Sequence, residues 1–229
     1  STQSRSSAAS DVYKRQLLAQ AVQFAWRKTL VWKEWVLLLL GLTAVRGLLY
    51  GSLAPPWQAP DEHAHFEYAA LMARLRRVPT LEDISPDLQR EIAQSMFEYE
   101  MWRYIGREPV SAPPEGFLRE TGITREPPTH TVDNRYLYFP QVGTDPPLYY
   151  VAPALVYALL GGQATALQLY AMRLPSVLML VALVGCVAWA TQRAFGDDPA
   201  MLISASAVVA WLPMLGHIGS VLSLSLIHI

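Results

Sequence analysis

The chain has 229 residues, of which 52% are hydrophobic and only 16% are charged, and its formal net charge is −1. This balance is too apolar for an ordinary soluble domain and favours a membrane protein. The near-zero net charge gives no field that would attract nucleic acid, and the single cysteine, Cys186, leaves no partner for an internal disulfide.

Both ends carry short segments that are typical of sequencing libraries rather than of a natural protein. Residues 11–16 (DVYKRQ) resemble a translated transposase adapter, and residues 224–229 (LSLIHI) resemble the same adapter translated from its opposite strand. We therefore expect 1–16 and 224–229 to be non-native tails and 17–223 to be a fragment of a longer gene. A Ser-rich disordered tail and a fraying helix end are the alternative interpretation.

The first apolar run, residues 35–54, has the length of about twenty residues that crosses a bilayer as a helix. Arg27, Lys28 and Lys33 precede it, so the positive-inside rule places residues 17–34 in the cytoplasm and the following loop outside. Arg46 interrupts this run. Its side chain either snorkels to the interface or faces a polar cavity.

Residues 55–173 form a long extracytoplasmic loop, and loops of such length are usually functional. Ser85 and Pro86 are typical of an N-cap and a first helical position, and Pro60 before two acids marks another helix start. Apolar residues at helical spacing give the Ser85-capped helix a buried stripe, Leu88, Ile92, Met96 and Tyr99. The loop is predicted to contain helices at about 61–77, 86–105 and 146–162.

Two further apolar runs, 174–192 and 199–223, are predicted to cross the membrane, with Pro213 kinking the second. If Arg193 in the turn between these two runs is cytoplasmic, the chain crosses the membrane only once between the outer loop and Arg193. The run 146–162 is then a juxtamembrane helix along the outer face. The sequence thus predicts an all-α, polytopic transmembrane helix bundle in the inner (plasma) membrane, with a cytoplasmic N-terminus.

Two carboxylates, Asp61 and Glu62, lie just past the first span at the start of a predicted helix. Acids at a helix N-terminus stabilise its dipole, and this structural role is one explanation. The other explanation is catalytic, because a general base at the membrane surface would take a proton from an acceptor while a lipid carrier presents its sugar at the same depth. The position of the pair favours the catalytic role.

His65 follows Asp61 by four residues, so both side chains would reach one divalent cation. A solvated polar helix face explains the spacing equally well, and no cofactor is firmly predicted. Asp145 precedes two prolines and either forms a turn or faces Asp61 across the loop. The neighbouring Tyr149 and Tyr150 either line a sugar or lipid site or belong to an interfacial aromatic belt.

Arg173 stands at the outer end of the apolar run 174–192. An arginine at this position would clamp a phosphate through a bidentate contact. It would equally well anchor the end of the helix, and the sequence leaves both roles open.

These motifs together resemble the bacterial polytopic glycosyltransferases of the GT-C superfamily, nearest to family 39 and to protein mannosyltransferase-like proteins. Residues 55–66 (PPWQAPDEHAHF) are similar to the start of the first outer loop of that family. Residues 145–150 (DPPLYY) are similar to its HPPLYY motif, with Asp145 where histidine is usual, and 169–195 resemble the following transmembrane segment. The resemblance covers most of 35–220.

The resemblance implies that Asp61 is the catalytic base and that Glu62 supports it. The donor would be a polyprenyl-phosphate sugar, attacked on the outer face by a hydroxyl or amine of an acceptor glycan, lipid or protein, with inversion at the anomeric carbon. The family also places the PPLYY segment in a juxtamembrane helix. Relatives have more membrane segments, so we expect the fragment to be inactive alone.

Two other functions remain open. One is a non-catalytic membrane protein that takes part in assembling a cell-surface polysaccharide. The other is a transporter, which is disfavoured because Asp61 and Glu62 lie outside the predicted spans, whereas transporters bind substrate near the midplane.

Overall fold

The structure, a computed structural model, describes residues 33–80, 82–101 and 145–223. Within these ranges the chain is mostly helical and has no strand. The predicted tails and the cytoplasmic segment before Lys33 lie outside the described residues. The helices are α1 (Lys33–Leu53), α2 (Glu62–Leu75), α3 (Pro86–Glu98), α4 (Leu148–Leu159), α5 (Thr165–Met172), α6 (Leu174–Phe195), α7 (Pro199–Trp211) and α8 (Pro213–Ile218).

Two helical stretches of the described chain are long and apolar enough to cross a membrane. One is α1, with 21 residues. The other is the 31-residue stretch Thr165–Phe195, in which α5 leads through Arg173 into α6. At a rise of about 1.5 Å per residue both exceed the roughly 30 Å of a hydrocarbon core. This second stretch begins nine residues before the predicted span 174–192.

The predicted span 199–223 is divided in the structure. Helix α7 has 13 residues, which is about 20 Å and therefore too short for a crossing of the bilayer. Pro213 starts α8 as an early helical residue, where its missing N–H costs nothing. Arg46 donates a hydrogen bond of 3.1 Å to the carbonyl of Leu212 at this break, so its guanidinium serves a protein contact.

The chain separates into two compact units. Of the described residues, the first contains 33–42 and 182–211, where Val36, Ala188 and Leu202 form a small apolar core. The second contains the described residues of 43–181 and 212–223 and holds all the predicted site residues. Its described core is larger and rich in aromatic side chains, among them Trp57, Phe66, Tyr68, Tyr150 and Tyr157.

Helix α2 is the central element of the second unit, because every residue from Glu62 to Met72 is buried. It lies within the predicted helix 61–77 and ends where Arg76 takes the left-handed conformation of a C-cap. Helix α4 packs against it through Tyr150, Ala154 and Tyr157. The predicted helix 146–162 therefore exists with slightly shorter bounds, Leu148–Leu159.

Helix α3 begins as the sequence predicts. The Ser85 hydroxyl accepts a hydrogen bond of 3.4 Å from the Leu88 N–H, and a proline occupies the first turn. Leu88, Ile92 and Met96 are buried as predicted. Tyr99 is exposed instead, because the helix ends at Glu98 rather than near 105 and Tyr99 becomes its C-cap.

Candidate functional site

Asp61 occupies an unusual backbone position immediately before α2. It is the N-cap residue, with a left-handed φ of 53°, and its side chain does not cap the helix. Its carbonyl accepts hydrogen bonds from the N–H groups of Ala64 and His65 at 2.9 and 3.0 Å. The side chain is exposed and makes no hydrogen bond with a described residue. Left-handed backbone is costly for most L-residues, although aspartate tolerates it better than most.

Glu62, the next residue, points into the fold. Its side chain has 0% exposure and its carboxylate pairs with Arg173, whose side chain is 1% exposed. The two guanidinium contacts, from Nε and Nη2, both measure 2.8 Å. The backbone N–H groups of Trp57 and Leu222 donate two more hydrogen bonds to it, at 3.1 and 3.2 Å. The carboxylate of Glu62 is therefore fully occupied by protein donors.

Arg173 uses all five of its N–H groups within the chain. Besides the two bonds to Glu62, it donates to the carbonyls of Gly51 and Ala54 at 2.7 Å each and of Pro55 at 3.2 Å. These carbonyls lie at the C-terminal end of α1, where backbone acceptors lack helical partners and where the dipole favours a cation. Arg173 therefore anchors the C-terminal end of α1, whereas the predicted anchoring concerned the end of the helix that follows it.

The phosphate contact predicted for Arg173 stays a prediction. A phosphate bound there would have to displace one of the five bonds that the guanidinium already makes.

A hydrogen-bonded row of three side chains lies beside Asp61. Tyr150 donates its hydroxyl proton to Asp145 Oδ2 at 3.2 Å, and the same hydroxyl oxygen lies 2.7 Å from His65 Nδ1. Because an ionised carboxylate only accepts, the single Tyr150 proton goes to Asp145, and His65 donates from Nδ1 to the tyrosine oxygen. His65 then carries its lone pair on Nε2.

Burial keeps His65 neutral and Tyr150 protonated. Burial lowers the pKa of His65 to about 4, although Asp145 and Asp61 pull in the opposite direction. Burial, together with the charge of Asp145, raises the pKa of Tyr150. Near neutral pH His65 is therefore a neutral imidazole and Tyr150 keeps its proton. Both Asp61 and Asp145 raise the pKa of the same imidazole; that the two carboxylates face each other across the loop stays a prediction.

His63 is a second buried imidazole near Asp61. Neither of its ring nitrogens has a hydrogen-bond partner within the described ranges. Burial lowers its pKa to about 4, while the charge of Asp61 raises it and His65 lowers it further. A buried polar ring without partners is destabilising. The sequence offered no sign that His63 and His65 would both be buried.

The rings of Tyr149 and Tyr150 pack edge to face at 5.1 Å, but their hydroxyl groups have different partners. The Tyr149 hydroxyl lies 2.8 Å from Ser176 Oγ, and burial raises its pKa to about 12. The seven predicted site residues thus fall into two groups, an outer group of Asp61, His65, Tyr150 and Asp145 and an inner group of Glu62, Arg173 and Tyr149. We refer to the outer group as the acidic site and to the Glu62–Arg173 contact as the buried ion pair.

Sequence reasoning missed three residues that hold the inner group together: Trp57, Ser176 and Leu222. Trp57 has a left-handed φ of 68°, and its indole N–H donates to Ser95 Oγ at 3.1 Å. Its position between prolines in the motif 55–66 was the available sign. For the backbone N–H of Leu222, 160 residues away from Glu62, no sign existed.

The described ranges contain no group of three His, Cys, Asp or Glu side chains that could hold a metal ion. No protein-family model, no curated protein and no solved structure matches the chain.

Proposed function

We propose that the chain is part of a membrane glycosyltransferase that transfers a sugar from a polyprenyl-phosphate carrier to an acceptor on the extracytoplasmic face. The observation that carries this proposal is the unequal environment of the two adjacent acids. Glu62 is buried and saturated by four hydrogen bonds, whereas Asp61 is exposed and makes none with described side chains. Of the pair, only Asp61 can meet an acceptor.

In this proposal the acceptor hydroxyl attacks the anomeric carbon while its proton passes to Asp61. The bond between the anomeric carbon and the phosphate oxygen breaks, and polyprenyl phosphate leaves with the bonding electrons. A single displacement of this kind inverts the anomeric centre. A carboxylate general base contributes about 10²- to 10⁴-fold to such a step.

His65 would accept a hydrogen bond from the sugar or the acceptor through Nε2. Its orientation is held from the other side by Tyr150 and Asp145. Glu62 and Arg173 act as positioning residues in this scheme. They fix the end of α1 against the start of α2, and thereby fix the backbone at Asp61.

A cleft of about 440 Å³ between α1 and the α5–α6 stretch supports a lipid-linked donor. Its lining includes the apolar Leu48, Leu167 and Val177 and also Tyr170 and Arg173. An isoprenoid chain would lie along the apolar walls. The two long apolar helices support residence in a membrane, and the basic residues before α1 support a cytoplasmic N-terminus.

The proposal is tested with Asp61→Asn in the complete reading frame that contains this chain, purified and supplied with a panel of polyprenyl-phosphate sugars. We expect kcat to fall by at least about 10²-fold, because the amide cannot take the proton. Asp87→Asn, an exposed acid on α3, is the matched control and should leave kcat unchanged. Full activity of the Asp61→Asn variant would remove Asp61 as the base, and absence of transfer from every donor would remove the proposed activity.

A further inference from the structure

A second cavity lies at the far end of α2 from Asp61. It is a groove of about 660 Å³ between the C-terminal part of α2 and helix α4. Its walls are apolar, with Met72, Val151 and Ala154 among them, and Arg76 and Arg77 are the charged residues among the described side chains that line it. This volume falls within the roughly 300–1,000 Å³ of small-molecule sites.

The outward face of α4 continues the groove as an apolar surface. Leu148, Leu155 and Leu159 are 83%, 62% and 85% exposed, while the opposite face of the helix packs on α2. A row of exposed leucines is unfavourable in water, and it is typical of a helix that lies in a membrane interface.

The two arginines of the groove differ in their charge balance. Arg77 donates to both carboxylate oxygens of Asp83, at 2.7 and 2.6 Å, so its charge is compensated. Arg76 is exposed and forms no ion pair or hydrogen bond with a described residue. An apolar groove with one uncompensated cation at its mouth is complementary to an anion that carries a hydrocarbon chain.

We propose that this groove binds an anionic bilayer phospholipid, with an acyl chain between α2 and α4 and the phosphate at Arg76. The leucine face of α4 places the groove beside the lipid from which the ligand would come. The proposal is independent of glycosyl transfer, since it requires only contact with a bilayer.

The headgroup is tested by native mass spectrometry of the detergent-solubilised chain with equal amounts of phosphatidylglycerol and phosphatidylcholine. We expect the unaltered chain to retain phosphatidylglycerol about fivefold better, which is the contribution of one arginine near a charged lipid surface. Arg76→Gln should abolish this preference, and Arg76→Lys should keep most of it. Both variants keep a Cβ at the left-handed φ of 55°, so backbone strain is matched.

The acyl chain is tested by Ala158→Phe, which fills the groove without changing charge. We expect it to lower retention of both lipids alike. The control Arg90→Gln alters a half-buried arginine on α3 that pairs with the exposed Asp87, outside the groove, and should change the retention of neither lipid. Equal retention of the two lipids by the unaltered chain, an unchanged preference in Arg76→Gln, or an equal loss in Arg90→Gln would each overturn the proposal.

Discussion

Replacing Arg173 with methionine removes the cation of the buried ion pair. The change leaves Glu62 at 0% exposure with only the N–H groups of Trp57 and Leu222 as donors. The change also removes the hydrogen-bond donors of three carbonyls at the end of α1. Methionine fills a similar volume, so the main loss is electrostatic rather than a cavity.

Removing one partner of a buried ion pair costs about 3–5 kcal/mol, because the remaining charge is left desolvated and uncompensated. For a chain of this size each kcal/mol lowers the melting temperature by roughly 2–4 °C, so we expect a fall of roughly 6–20 °C. The double variant Glu62→Leu with Arg173→Met removes both charges together and should recover part of the loss.

The assay is thermal unfolding of the purified chain in one detergent, followed by circular dichroism. Arg90→Met is the matched control, since its partner Asp87 is exposed and such surface pairs contribute about 0–1 kcal/mol. A melting temperature of Arg173→Met within about 2 °C of the unaltered chain would refute the structural role of the buried ion pair.

Three further predictions concern the backbone, the helix packing and the buried histidines. Asp61→Gly should raise the free energy of unfolding by about 1 kcal/mol or less, since glycine adopts φ 53° without strain. The same variant should abolish sugar transfer. A lower free energy of unfolding in denaturation experiments would contradict the strain at this position. Gly47→Val should lower the free energy of unfolding by about 1–3 kcal/mol, because a Cβ at this position would lie 2.8 Å from the side chain of Val177 in α6. Gly41→Ala is the control in the same melting assay: a Cβ there meets no atom within 4 Å, so stability should be unchanged or higher. His63 and His65 have folded pKa values of about 4 against an ordinary 6.5, so the unfolded chain binds more protons between these values. Stability should therefore be steady above pH 6.5 and fall as pH drops toward 4, and a flat profile across that window would exclude their burial as neutral rings.

The local elements of the fold were predictable where the determining residues are close in sequence. Ser85 and Pro86 define the start of α3 by themselves, since a cap and a first-turn proline act on adjacent backbone groups. The break between α7 and α8 was only partly predictable. Pro213 indicates that the helix is interrupted near this point. The hydrogen bond from Arg46 to the carbonyl of Leu212 joins residues 166 apart, and no local sequence pattern indicates such a tertiary contact.

The candidate site shows the same limit. The sequence identified Asp61 and Glu62 as a pair, but it did not show that Asp61 is a left-handed N-cap while Glu62 is the first residue of α2. Which of them faces solvent depended on Arg173, 111 residues later, and this partner can be found only from the fold. The row from His65 through Tyr150 to Asp145 likewise joins residues of α2 to the segment before α4 and depends on the packing of these two helices.

The most direct test of the account is the side of the membrane on which Asp61 lies. In a Cys186→Ser background, Asp61→Cys and Asp197→Cys would be treated with a membrane-impermeant maleimide in spheroplasts, before and after permeabilisation; Asp197 lies in the turn between α6 and α7. We expect Cys at 61 to react in intact spheroplasts and Cys at 197 to react only after permeabilisation. Protection of position 61 until the membrane is opened would contradict a base that awaits its acceptor on the outer face.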